Sequence, residues 1–139
     1  MLDELVRPHN PIVDLNTRWS GIKSLETATE TLESIKQRIS KLCSNDTILV
    51  GHGLENDLNV LRICHSKIID TAAVFPHPNG LPYKYGLWKL ARDHLGKIIQ
   101  DSHHGHDSLE DAQICMELLH HKTTTKFCSF CQSSLVTLQ

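Results

Sequence analysis

Residues 47–58, TILVGHGLENDL, change periodicity within a few positions, and this constrains the fold more than any other stretch. Thr47 to Val50 is a short β-branched run, the pattern of a buried strand. Gly51 and Gly53 then allow a tight turn or close approach of a ligand. Beyond them Leu54, Leu58 and Leu61 fall at helical spacing. A second short strand is predicted at Lys67–Asp70, and the loop PHPNGLP follows at 76–82. Tyr85 to Leu95 reads as a helix that Gly96 stops. Ser108 to His120 reads as another, with Leu109, Ala112, Met116 and Leu119 on one face. Strands that alternate with helices predict an α/β layer fold.

The flanks are less regular. Residues 2–7 read as the tail of a strand that ends before Pro8. PHNPIVDLNTRWSGI reads as an ordered loop, with Ile12, Val13, Leu15 and Trp19 as apolar anchors. From Ser24 to Leu42, apolar residues at 25, 28, 32, 35, 39 and 42 form one helical stripe. Thr27 with Glu30 is a candidate capping box for its start. Residues 122–139 are rich in Thr, Ser and Cys without periodicity and read as a tail behind a domain at 2–121.

A length of 139 residues fits one domain and leaves no room for a second core. Apolar residues at 40% and charged residues at 22% argue against wholesale disorder. The longest apolar run, Ala72–Phe75, has four residues, so no membrane partner is expected. The first ten residues lack a signal core, and their acidic residues argue against a transit peptide, so an intracellular protein is expected. A net charge of −2 announces no global field for nucleic acid, although a local groove can still be basic. Five cysteines, at 43, 64, 115, 128 and 131, suit reduced thiols better than a disulfide framework.

Two stretches carry candidate chemistry. In GHGLENDL, Asp57 follows the end of a strand, where α/β folds place their sites, and its carboxylate can ligate a hard cation. The plainer reading is an acidic residue that complements a helix N-terminus. In GHDSLEDA, His106 and Asp111 are five positions apart, roughly 140° around a helix. They converge only if His106 lies in the loop before the helix, which Gly105 makes easy. That pair offers an imidazole as general base and a fixed carboxylate as metal ligand. A surface His beside a solvated Asp is the plainer alternative.

Taken together, the chain resembles the DEDDh exonucleases, and specifically the Rex-type RNA exonucleases. The carrying segments are DELVRPHNPIVDLNTRWSGI, ILVGHGLENDLNVL, IIDTAAVFPHPNGLPYKYGLWKLA and IIQDSHHGHDSLEDAQICMELL, within residues 2–121. The resemblance implies a ribonuclease H-like fold and 3′-to-5′ removal of nucleotides from single-stranded RNA ends. DNA is a further candidate substrate, and nuclear residence is implied. It also implies two Mg²⁺ or Mn²⁺ ions, with Asp57 and Asp111 as metal ligands and His106 as the catalytic base. The family's first motif, Asp-x-Glu on the leading strand, has no counterpart: none of the nine Asp residues has Glu two positions later. The chain is therefore expected to lack its first catalytic strand, as a fragment or a decayed copy. Such a sheet is expected to self-associate. The rival reading is an inactive nucleic-acid-binding or interaction remnant.

Other residues are candidates for binding. His52, Asn56, Arg18 and Lys84 are possible contacts to nucleic acid, and Tyr83, Tyr85 and Lys89 interleave ring and charge beside Lys84. Trp88 reads as core, and Trp19 as a substrate contact or a loop anchor. Cys128 and Cys131, with His120 and His121 upstream, form a candidate zinc site, but the lone C-x-x-C lacks a second pair. His103, His104 and His106 form a cluster that can catch a metal, although two of them read more simply as ordinary loop residues. Asp70 reads as a cap for the segment that follows it.

Overall fold

In the computed structural model, residues 2–99 and 106–133 are described, with side chains as far as residue 125. The elements run α1 (Thr17–Ser20), α2 (Leu32–Leu42), β1 (Leu49–Gly51), α3 (Leu54–Leu61), β2 (Ile68–Asp70), α4 (Thr71–Val74) and α5 (Leu87–Leu90). A π-helical turn, Ala91–Leu95, and the long α6 (Ser108–Ser133) complete them. β1 and β2 pair in parallel with Leu49 opposite Ile68, Val50 opposite Ile69 and Gly51 opposite Asp70. Parallel pairing requires a crossover, and α3 supplies it. Gly51 leaves room for that crossover to start: a Cβ there would lie 2.5 Å from Leu54 Cδ2.

The main core forms where α6 lies across the sheet and the short helices. Phe75, Leu87, Leu90, Ala91, Ile99, Ile114, Cys115 and Leu118 make one buried cluster, with Val50 packed against it. Leu90 and Leu118 are fully enclosed. Outside this cluster burial is thin. Trp19, Leu42, Ile48, Val60, Leu81 and Ile98 all expose more than half of their surface.

A one-turn α1 lies inside the stretch read as a loop, and the helix read over Tyr85–Leu95 is α5 followed by the π-helical turn. Three further features depart from the sequence pattern. α2 begins at Leu32, not near Thr27. The Thr31 hydroxyl accepts from Ser34 N (3.2 Å), and the Ser34 hydroxyl accepts from Thr31 N (3.0 Å), so the capping box lies four residues further on. Glu30 cannot join the helix because it forms a parallel bridge with Val6, and its carbonyl accepts from Arg7 N at 2.9 Å. The second departure is Trp88, which is 48% exposed rather than core. On the four-residue α5, Leu87 and Leu90 take the inward positions, and a turn of about 100° per residue carries Trp88 outward. Finally, α6 runs past His120 into the expected tail. Its threonines fit because Thr123 and Thr124 return their hydroxyls to the His120 carbonyl, both at 2.9 Å.

Candidate active site

The N-terminus of α3 is built by a neighbour. Gly53, in the left-handed region at φ 69°, offers no side chain to cap it. Instead Asp70, at the end of β2, accepts from Gly53 N (3.0 Å) and Leu54 N (3.2 Å). The same carboxylate accepts from Ala72 N at 2.8 Å and so caps α4 as well. One buried-edge carboxylate therefore fixes both helices that leave the parallel pair. The sequence pattern points to the second of these roles; the first depends on strand register.

On α3, Asp57 carries its carboxyl above the usual range, mainly because burial penalises its charge and secondarily because Asp70 is near. His52, between β1 and α3, bonds through Nδ1 with Thr71 Oγ1 at 2.8 Å. Burial pulls its pKa down, against the opposing pull of Asp70 and a hydrogen bond to the Tyr85 backbone. The buried Thr71 hydroxyl also donates to the Gly51 carbonyl at 3.1 Å, which ties α4 to the end of β1. Cys115, on the facing side of α6, has its thiol pushed up to about 11 by burial, so it stays a neutral packing residue.

The third group enters from the start of α6. Asp107 Oδ1 accepts from Leu109 N (2.9 Å) and Glu110 N (3.1 Å) and closes the first turn. Asp107 with Glu110 is itself a capping pattern in the sequence and would have fixed this helix start. His106 thus lies just before the helix, and its Nδ1 is 3.2 Å from Asp111 Oδ2. Its backbone N–H donates to the Trp19 carbonyl at 3.0 Å. Trp19 lies on the one-turn α1, which its own hydroxyls tie to the flanking chain: Thr17 donates to the Ile22 carbonyl (2.7 Å) and Ser20 to that of Leu15 (2.8 Å).

His52, Asp57, His106 and Asp111 line one cavity of about 580 Å³ at the C-terminal end of β1. Leu54, Leu87, Trp88 and Cys115 supply apolar wall. Asn56, Arg18 and Lys84 are not part of this lining. The Lys84 ammonium is instead bonded to Glu55 at 2.6 Å, which raises its pKa, and Arg18 lies 5.5 Å from the Trp19 ring centroid. Trp19 is 59% exposed, so hydroxyl bonds rather than a buried indole anchor its loop. Cys43, Cys64 and Cys115 are free thiols. Cys128 and Cys131 fall on α6 beyond the described side chains, and His103 and His104 fall outside the described residues.

Among the described residues, no three His, Cys, Asp or Glu side chains gather as a metal site. No helix among these residues is long and apolar enough to cross a membrane.

No family model matches the chain. Individual proteins do. It is 48% identical over 119 residues to Exonuclease GOR from Pan troglodytes, covering 84% of this chain and 17% of that protein. It is 47% identical over 119 residues to RNA exonuclease 1 homolog from Homo sapiens, covering 84% of this chain and 10% of that protein. Among solved structures, the Pan2 pseudoubiquitin hydrolase–RNA exonuclease module from Saccharomyces cerevisiae, in complex with A7 RNA, superposes with a TM-score of 0.79. That match has 29% identity and covers 95% of this chain and 23% of the other. The chain thus spans less than a quarter of the length of each of these.

An α/β unit whose cavity opens at the end of a parallel strand, matched by these proteins, has the ribonuclease H-like fold. Within that class, the chain belongs to the Rex-type RNA exonuclease family of the DEDD exonucleases.

Proposed function

We propose that this chain carries the Asp57, His106 and Asp111 portion of a 3′-to-5′ exoribonuclease site, and that the 3′ end of single-stranded RNA enters the cavity they line. One observation carries the reading. An imidazole held by a carboxylate at 3.2 Å shares a cavity with a second carboxylate from a different element. With Nδ1 toward Asp111, the Nε2 lone pair is left to take a proton from a water that attacks the terminal phosphodiester. The 3′ oxygen of the penultimate nucleotide then leaves, and a nucleoside 5′-monophosphate is released.

Two carboxylates are too few to hold Mg²⁺ or Mn²⁺ as a pair about 3.5–4 Å apart. The 139 residues alone are therefore proposed to bind RNA here with little turnover. Trimming needs an added strand that bears Asp-x-Glu. The test compares the chain with a longer form carrying such a strand ahead of residue 2, on 3′-end-exposed labelled RNA in Mn²⁺. Stepwise shortening by the longer form, lost on His106→Ala, is expected. Efficient trimming by the 139-residue chain, or trimming that survives His106→Ala, overturns the assignment. Binding without trimming by the longer form would favour the rival, an inactive nucleic-acid-binding member.

A further inference from the structure

Trp88 is a large apolar side chain that neither the core nor the hydrolytic residues use. It is 48% exposed, yet its indole lines the same cavity as His106 and Asp111. The position of that indole is fixed from two sides. Gly86 has an ordinary extended backbone, φ −72° and ψ 152°, which any residue could adopt. A Cβ there would lie 3.0 Å from Trp88 Nε1 and 3.1 Å from Cδ1. What the glycine provides is therefore space for the edge of the ring. The Arg92 guanidinium carbon sits 5.0 Å from the ring centroid, and Arg92 Nε is held by Asp93 Oδ1 at 3.0 Å.

We propose that Trp88, seated on Gly86 and backed by Arg92, is a stacking platform for a nucleobase of the single strand that occupies the cavity. The inference rests on the RNA reading given above and adds a base contact to it. Every nucleobase presents a π-face, so stacking grips RNA without choosing sequence. Arg92, held over the indole, backs the ring against which the base would stack. A stacked base contributes enough that its loss weakens binding about 10- to 100-fold.

The chain has two tryptophans, so Trp19→Phe leaves Trp88 as the single indole reporter. This variant of the full chain is titrated in EDTA with a labelled oligoadenylate five-mer and with an abasic five-mer of equal charge. Indole fluorescence and label anisotropy are followed together. We expect quenching by the base-bearing strand alone. Trp88→Ala should weaken that strand about 10- to 100-fold and leave abasic affinity unchanged, and Trp88→Phe should recover part of the loss. Gly86→Ala, which displaces the indole without removing it, should weaken base-bearing RNA in the same sense. Binding of oligoadenylate with no quenching, or equal losses for both strands on Trp88→Ala, overturns the platform while leaving the RNA reading in place. Failure of both strands to bind removes the RNA reading and the platform with it.

Discussion

Replacing Asp70 probes the joint between sheet and helices, since its carboxylate accepts from Gly53 N, Leu54 N and Ala72 N. Loss of a single N-cap acceptor costs about 1 kcal/mol. Asp70→Ala removes the acceptor for two helix starts at once, so about 2 kcal/mol is expected, or more where the freed N–H groups stay buried. One effect opposes this: removing the Asp70 charge relieves its repulsion of Asp57. Asp57 is exposed and Asp70 half-buried, and measured couplings between such solvent-reaching charges are about 0–1 kcal/mol, so the capping loss wins. Asp70→Asn separates the two effects. An amide oxygen in the Oδ1 position keeps the bonds to Gly53 and Ala72, and only the 3.2 Å bond to Leu54 is lost. It should therefore cost about half as much as the alanine change. Thermal denaturation followed by far-ultraviolet circular dichroism at pH 7 in EDTA reads both. Falls in Tm of about 6–10 °C for Ala and about 3–5 °C for Asn are expected for a chain of this size. Equal falls for the two variants, or a fall under about 2 °C for alanine, would refute the double-cap account.

Asp57→Asn should raise Tm at pH 7. A carboxyl whose folded pKa lies above its unfolded value weakens the fold as pH rises from about 4 through the folded pKa. The gain should shrink as pH falls toward 4, and a pH-independent gain would contradict that cause. Thr31→Ala should destabilise by about 1 kcal/mol, whereas Thr27→Ala should be near neutral, as chemical denaturation would show. A two-stranded parallel sheet with exposed Ile48, Val60 and Ile98 should self-associate, so sedimentation velocity at tens of micromolar should show species larger than 15.7 kDa. A concentration-independent monomer would count against that.

What the sequence makes legible here is local. The run before Gly51, the leucine spacing after Gly53 and the run before Asp70 each carry their own signal, and β1, α3 and β2 follow within a residue or two. The start of α2 is not local, because Thr27–Glu30 and Thr31–Ser34 are both plausible caps. The bridge from Glu30 to Val6 decides between them. The outward turn of Trp88 depends likewise on which neighbours claim Leu87 and Leu90. The end of α6 is hidden for a different reason, since threonines that disfavour helix in isolation satisfy themselves on carbonyls one turn back. At the site, the motifs mark Asp57, His106 and Asp111, but their meeting in one cavity is set by packing of α6 against β1.

The bond from His106 N to the Trp19 carbonyl joins two segments that lie far apart in the chain. Because it runs from main chain to main chain, side-chain drift at either residue cannot sever it. It ties the helical turn that carries Arg18 to the segment that carries the imidazole. The His106 amide proton reports the breaking of this bond: its exchange with deuterium should slow when a strand occupies the cavity, as should that of the amides of Trp19 and Ser20, whose bonds to the Asn16 carbonyl close the same turn.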